Sequence, residues 1–233
     1  MGELREFAKN VWIAEGSNVR DMGMTFTTRM SIVKLGGGSL WIDSPVTVAS
    51  DTLDRVAALG PVKYLVAATP RHVWRLEAWH ALFPQAQLWA ARRTPLTLKH
   101  ENLALTGVLT DVAPEGWAKD LGQLAFKGNP FIEEVIFLHR ESRTVILDDL
   151  IQRHPLIPGK PLRNALVNFF RVAYPRGGVP LDMKFSFIRR RSARESLAKL
   201  LSWDFEKLII AHGPCVEENA KAFVEQAFRW LGN

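Results

Sequence analysis

Apolar positions along the chain fall into two rhythms. Short, largely apolar runs occupy 11–14, 30–35, 39–43, 65–68, 87–90, 134–139, 144–147 and 208–211. Runs of this length read as strands, and those without polar alternation as strands buried on both faces. Gly36, Gly37 and Gly38 supply a permissive turn into the third run, and polar residues 140–143 join two later runs into a hairpin.

The second rhythm is helical. Asp51 reads as an N-cap for a helix carrying Leu53, Val56 and Ala57 and stopped by Gly60. Trp74, Ala78, Ala81 and Leu82 fall at helical spacing before Pro84. Leu162, Ala165, Leu166, Phe169 and Ala173 mark another helix, broken by Pro175 and Gly177. Ser192 and Glu195 form a capping box ahead of Leu197, Leu200 and Leu201. A final stripe runs from Val216 to Trp230, and the stretch 92–127 reads as loops, a short helix and one or two strands. Strands come in two batches, each followed by helices, with no linker or repeat between them. The pattern predicts one α/β domain over residues 1–233.

Composition narrows the setting. A chain of 233 residues, 47% hydrophobic, fills a sizeable core. A single cysteine, Cys215, excludes an internal disulfide. The start is charged and lacks an apolar run of signal-peptide or membrane-spanning length, and Glu6 breaks the myristoylation pattern, so the expectation is a cytoplasmic protein without a transmembrane segment. The net charge of +6 is gathered between Arg153 and Arg194, a stretch that reads as a solvated basic face without a specific nucleic-acid motif.

Three predicted strands end directly in polar residues: LVAATPRHVWR ends in Thr69 to His72, TVILDDL in Asp148 and Asp149, and LIIAHG in His212 and Gly213. With the early meander, this order resembles the metallo-β-lactamase superfamily, in particular an uncharacterised branch with bacterial and plant members whose hairpin is similar to EVIFLHRESRTVILDDL. The resemblance spans residues 11–213. It implies a four-layer αββα sandwich with a metal site along one edge, and a hydrolase-like protein of unknown substrate. Carried over residue by residue, the His-rich motif keeps His72, while Pro70, Trp74 and Arg75 replace three of its ligands. Another family histidine falls near Asn129 or Pro130. Asp149 and His212 survive.

Three donors cannot hold two ions, but two His and one carboxylate suit one zinc or iron. The resemblance thus implies His72, Asp149 and His212 as ligands of at most one zinc, iron or manganese ion, with Asp149 and His72 as the catalytic pair. The ion would activate water for ester, amide or phosphoester hydrolysis. In the family layout His72 and His212 aim at different metal positions, so one ion would serve both only after side chains shift. The alternative is a catalytically inactive descendant, without metal, that binds an anionic ligand or a protein partner at the same edge. Arg71 or Arg75 would then neutralise Asp148 and Asp149 by bidentate pairing, and Arg71, Arg75 and Asp148 are candidate ligand-binding residues.

The remaining candidates have plainer readings. His80 belongs to a helix surface, His139 caps the hairpin, and His100 and His154 lie in polar loops. Cys215, in the first turn of the last helix, is a buried structural thiol. A peripheral membrane face at 162–170 is set aside because the core is expected to need those apolar side chains.

Overall fold

The computed structural model describes residues 3–21, 24–92 and 103–232. Thirteen described strands form two main sheets and one small ribbon. The first sheet has the order β1 (Arg5–Ala8), β2 (Val11–Glu15), β5 (Arg29–Lys34), β6 (Leu40–Asp43), β7 (Val62–Ala67), β8 (Gln87–Ala90), β9 (Gly107–Val108). Pairing is antiparallel from β1 to β6 and parallel from β6 onwards. The second sheet has the order β10 (Leu121–Phe126), β11 (Glu134–His139), β12 (Thr144–Leu147), β13 (Lys207–Ile210), with β12 and β13 parallel. The ribbon pairs β3 (Val19–Asp21) with β4 (Met24–Phe26).

Period-two alternation explains the layering. In β7, Tyr64 and Val66 face the second sheet, while Leu65 and Ala67 face helices. In β11, Val135 and Phe137 face the first sheet, while Ile136 and Leu138 face outwards to other helices. Both faces of each sheet are therefore apolar, which accounts for the unbroken runs. Trp41 and Phe137 meet edge to face across the inter-sheet layer, with ring centroids 4.7 Å apart.

On the outer side of the first sheet lie α1 (Ser50–Leu59) and α2 (Leu76–Leu82), through Val56, Leu76 and Trp79. The outer side of the second sheet carries α5 (Leu181–Ser186), α6 (Arg190–Ser202) and α7 (Ala220–Phe228). Helix–sheet–sheet–helix is the expected four-layer sandwich. The shorter α3 (Glu115–Ala118) seats Trp117 between the sheets, and α4 (Pro161–Phe169) lies beyond the end of β12.

Several boundaries differ from expectation. The N-caps of α1 and α6 are Ala49 and Arg189, without side-chain caps; Asp51 and Ser192 lie inside the helices. The last helix begins at Ala220, because Val216 instead bridges to Leu208 and its two backbone bonds there pre-empt helical ones. Strand β1, the β3–β4 ribbon and α5 were not expected. Part of the 92–127 reading, including His100, lies outside the described residues.

Candidate functional site

Four strands deliver polar residues to one edge. Strand β6 ends at Asp43 and passes to Ser44, β7 passes through Thr69 to His72, β12 passes to Asp148 and Asp149, and β13 passes to His212. Because β6 and β7 run parallel in one sheet, and β12 and β13 in the other, each pair presents its carboxyl ends together. A backbone bond from Val135 N–H to the Ala68 carbonyl (2.8 Å) ties the sheets at this edge.

Three donor atoms converge there. His72 Nε2 lies 3.4 Å from His212 Nε2 and 3.5 Å from Asp149 Oδ1, and His212 Nε2 lies 3.1 Å from the same oxygen. Tetrahedral bonds of about 2.0 to 2.1 Å place neighbouring ligand atoms about 3.3 to 3.4 Å apart, so these spacings match one triangular face of such a site. The expectation that the two histidines aim at separate positions is corrected: the rings meet at 85° with no displacement required.

Each ligand atom is aimed by a partner behind it. The Thr27 carbonyl, an acceptor only, lies 2.7 Å from His212 Nδ1, so that nitrogen carries the hydrogen and Nε2 points into the site. His72 Nδ1 lies 2.9 Å from both Asp148 Oδ2 and Ser44 Oγ, and Ser44 donates to Asp148 (2.6 Å). Thr69 Oγ1 donates to Asp149 Oδ2 (3.0 Å), leaving Oδ1 for the convergence point. The turn carrying Asp148 and Asp149 is itself held by Glu134, whose carboxylate accepts the backbone N–H groups of Asp148, Asp149 and Leu150 at 2.7 to 2.9 Å.

Four buried carboxylates gather behind this edge. Asp43, Glu134, Asp148 and Asp149 are all buried, and among the described residues none pairs with Lys or Arg. Burial, followed by repulsion from Asp148, pushes the Asp43 carboxyl well up, and its Oδ2 has no hydrogen-bond partner. Burial, with Asp148 and Asp149 alongside, likewise pushes Glu134 up. For His72 burial disfavours the charged ring, yet Asp148 and Asp149 outweigh it and hold the pKa well above the usual histidine value. Burial also disfavours the Asp149 anion, but the His72 charge holds it well below the ordinary carboxylate range. His72 and Asp149 thus carry opposite charges at neutral pH, and a divalent ion would displace the His72 proton while balancing the carboxylates.

The triad forms the floor of a cavity of about 450 Å³. Phe26, Val46, Leu166, Phe170 and Met183 give it an apolar wall, with Arg71, Arg75 and Trp74 also lining it. Neither arginine neutralises the carboxylates: Arg75 Nε donates to Thr47 Oγ1 (2.7 Å), and among the described residues neither guanidinium pairs with Asp148 or Asp149. His72 occupies that role instead, with Nδ1 2.9 Å from Asp148 Oδ2. Asp148 does not line the cavity; it sits behind His72, so it orients that ring rather than meeting a ligand.

Other candidates resolve simply. His139 Nδ1 lies 2.7 Å from Ser142 Oγ, capping the hairpin. Cys215 is not in a helix, and burial pushes its thiol up. His80 lies on α2 away from the triad. His154 is no loop bystander: it is buried, stacks on His212 with centroids 6.4 Å apart, and burial with repulsion from His212 lowers its pKa to about 4. Ser44, Glu134 and the Thr27 carbonyl also went unforeseen, and Thr69, expected only as a polar strand end, holds Asp149. A strand end followed by a polar residue, the signal used for the other loops, is present at Asp43 and Ser44.

Comparison with known proteins agrees with this architecture. The DUF4336 family, a domain of unknown function, matches residues 9–161. No curated protein matches the chain. Among solved structures, a metallo-β-lactamase from Hirschia baltica superposes with a TM-score of 0.63 at 15% identity, covering 97% of this chain and 96% of its own. The mono-zinc form of the FIM-1 metallo-β-lactamase from Pseudomonas aeruginosa gives 0.61 at 11% identity, covering 100% and 97%. A metal-soaked flavodiiron core from Synechocystis gives 0.66 at 10% identity over 99% of this chain, which spans 60% of that longer one. At such identities the likeness fixes the fold and leaves the chemistry to the site. The chain belongs to the DUF4336 family and has the metallo-β-lactamase-like αββα fold.

Proposed function

We propose that this protein is a metallo-hydrolase-like enzyme with a mononuclear site formed by His72, Asp149 and His212. The carrying observation is the spacing of the three ligand atoms, 3.1 to 3.5 Å, on the floor of a cavity. Two imidazoles and a carboxylate suit zinc or iron, with manganese the harder alternative. Such an ion, when bound, lowers the pKa of water and polarises an ester, amide or phosphoester.

The chain's own groups do the rest. Asp148 and Ser44 fix the His72 ring, Thr27 fixes the His212 ring, and Thr69 fixes the Asp149 carboxylate. Asp149, held ionised, would supply the charged ligand, and His72 would give up its proton when the ion enters. The wall formed by Phe26, Val46 and Phe170 excludes water and accepts an apolar part of the substrate, while Arg71 and Arg75 stand where an anionic part would lie.

The test is metal analysis of protein purified without added ions, followed by titration of the apo form with zinc, iron(II) and manganese. One tightly held ion per chain, lost in His72→Ala and His212→Ala and required for cleavage of chromogenic ester or phosphoester substrates, supports the proposal. Absence of binding in all three titrations overturns it in favour of the inactive, anion-binding descendant.

A further inference from the structure

Leu166, Phe170 and Met183 of the cavity wall belong to a stretch of chain that is both apolar and strongly basic. Between Arg153 and Arg194 ten Lys and Arg face one acidic residue, Asp182, a balance of +9, so the rest of the chain is −3 of the total +6. In the same stretch large apolar side chains stand in solvent: Leu162 is 77% exposed, Phe169 65%, Phe185 75% and Ile188 66%. The core does not need them, contrary to expectation, because Val167 alone among the α4 residues is buried.

These side chains form one region. Leu162, Leu166 and Phe169 lie at i, i+4 and i+7 on α4, and Leu166 belongs to the cavity wall. The start of α5 is bonded to the end of α4 through Leu181 N–H and the Phe170 carbonyl (3.2 Å), and Asp182 and Met183 continue the wall. Phe185 is three residues on from Asp182, on the same side of α5. Lys160, Arg171, Arg189, Arg190 and Arg191 flank these apolar residues in the chain and are exposed.

We propose that this α4–α5 surface docks on an anionic membrane, inserting Leu162, Phe169, Phe185 and Ile188 among the acyl chains while the bordering basic residues meet lipid headgroups. Apolar side chains ringed by Lys and Arg, whose stems cover apolar surface while their heads stay polar, are the chemistry of interfacial binding. A second copy paired about a twofold axis would set the +9 segment against itself. A nucleic acid would satisfy the charges but not Leu162 and Ile188, which offer no ring for a base to stack on. No helix among the described residues is long and apolar enough to cross a membrane, so the contact is peripheral. Docking would bring the cavity mouth to the lipid surface and so admit amphiphiles. It does not depend on the metal reading.

Cosedimentation with vesicles of phosphatidylcholine alone, or mixed with phosphatidylglycerol, tests the proposal. The full chain is expected to bind the mixed vesicles and not the neutral ones. L162S/F169S and R189E/R190E/R191E should each weaken binding at least about tenfold, and, because these side chains lie in solvent, keep the wild-type melting temperature. Brominated acyl chains provide a readout without substitution, by quenching Trp74, 71% exposed at the cavity. Four outcomes overturn the idea: no binding to anionic vesicles, binding indifferent to L162S/F169S, tighter binding to a single-stranded oligonucleotide, or a dimer that the same substitutions dissociate.

Discussion

His72 and His212, 140 residues apart in the chain, bring their Nε2 atoms to 3.4 Å. Nitrogens that close need a proton or a cation between their lone pairs. The back of each ring is already occupied, by Asp148 in one case and by the Thr27 carbonyl in the other. Partners of this kind raise the basicity of a ligating imidazole and fix its orientation.

Zinc should therefore raise the melting temperature of the apo protein. At a free concentration one hundred times Kd, the linkage is worth about 2.7 kcal/mol. His72→Ala and His212→Ala should abolish the shift in calorimetry, and Asp148→Asn should lower affinity about 10- to 100-fold while leaving the ligand set complete. An undiminished shift in His212→Ala would place the ion elsewhere.

Acidity should act on the metal-free protein through the pair His72 and Asp149. The pKa of His72 is raised in the folded state, so its contribution to stability is complete below the unfolded value of about 6.5 and disappears as pH rises through the folded value. Asp149 is lowered, so its contribution is present above about 3.9 and disappears as pH falls through the folded value. Apo melting temperatures should be highest between these limits. Zinc affinity should rise with pH until the raised pKa of His72 is passed and level off above it, because binding must displace the His72 proton. Calorimetric titrations across this range in two buffers of different ionisation enthalpy would count that proton.

Glu134→Ala should cost about 2 to 4 kcal/mol in urea unfolding, since it leaves three buried backbone donors without an acceptor. The loss of repulsion towards Asp148 and Asp149 offsets part of this. Glu134→Gln, which keeps one carbonyl oxygen but turns an amide towards donors, should be intermediate in stability and in metal affinity.

Arg29→Met tests the support beneath His212. The buried Arg29 guanidinium donates to the carbonyls of Ile210 and Gly213, and its partner Glu15 lies at the surface, so most of its value resides in the carbonyl bonds. A loss of about 2 to 4 kcal/mol is expected, with weakened metal binding. Gly213→Ala should be worse, because φ is +108° and a Cβ would sit 1.7 Å from the Arg153 carbonyl oxygen.

The layers were legible because each main strand is apolar on both faces, a pattern that needs cover on either side. The triad was legible through resemblance, and also through position: His72, Asp149 and His212 each follow an apolar run directly. What escaped notice depended on distance. Glu134 begins a strand like any solvent-facing acid, and only the turn fourteen residues later makes it an acceptor. His154 sits among Pro and Arg in sequence, yet is packed on His212. The arginines misled because charge alone suggested a pairing that their geometry, with Arg75 turned to Thr47, does not make.

The divided origin of the triad has a mechanical side. His72 comes from the sheet that contains β7, whereas Asp149 and His212 come from the one that contains β12 and β13. An ion held by all three would clasp two halves that otherwise meet through side-chain packing and a few bonds such as that between Val135 and Ala68. Amide hydrogens of β7 and β12 should then slow their exchange together on loading and quicken together on chelation, so that the site acts as a fastener for the whole inter-sheet layer.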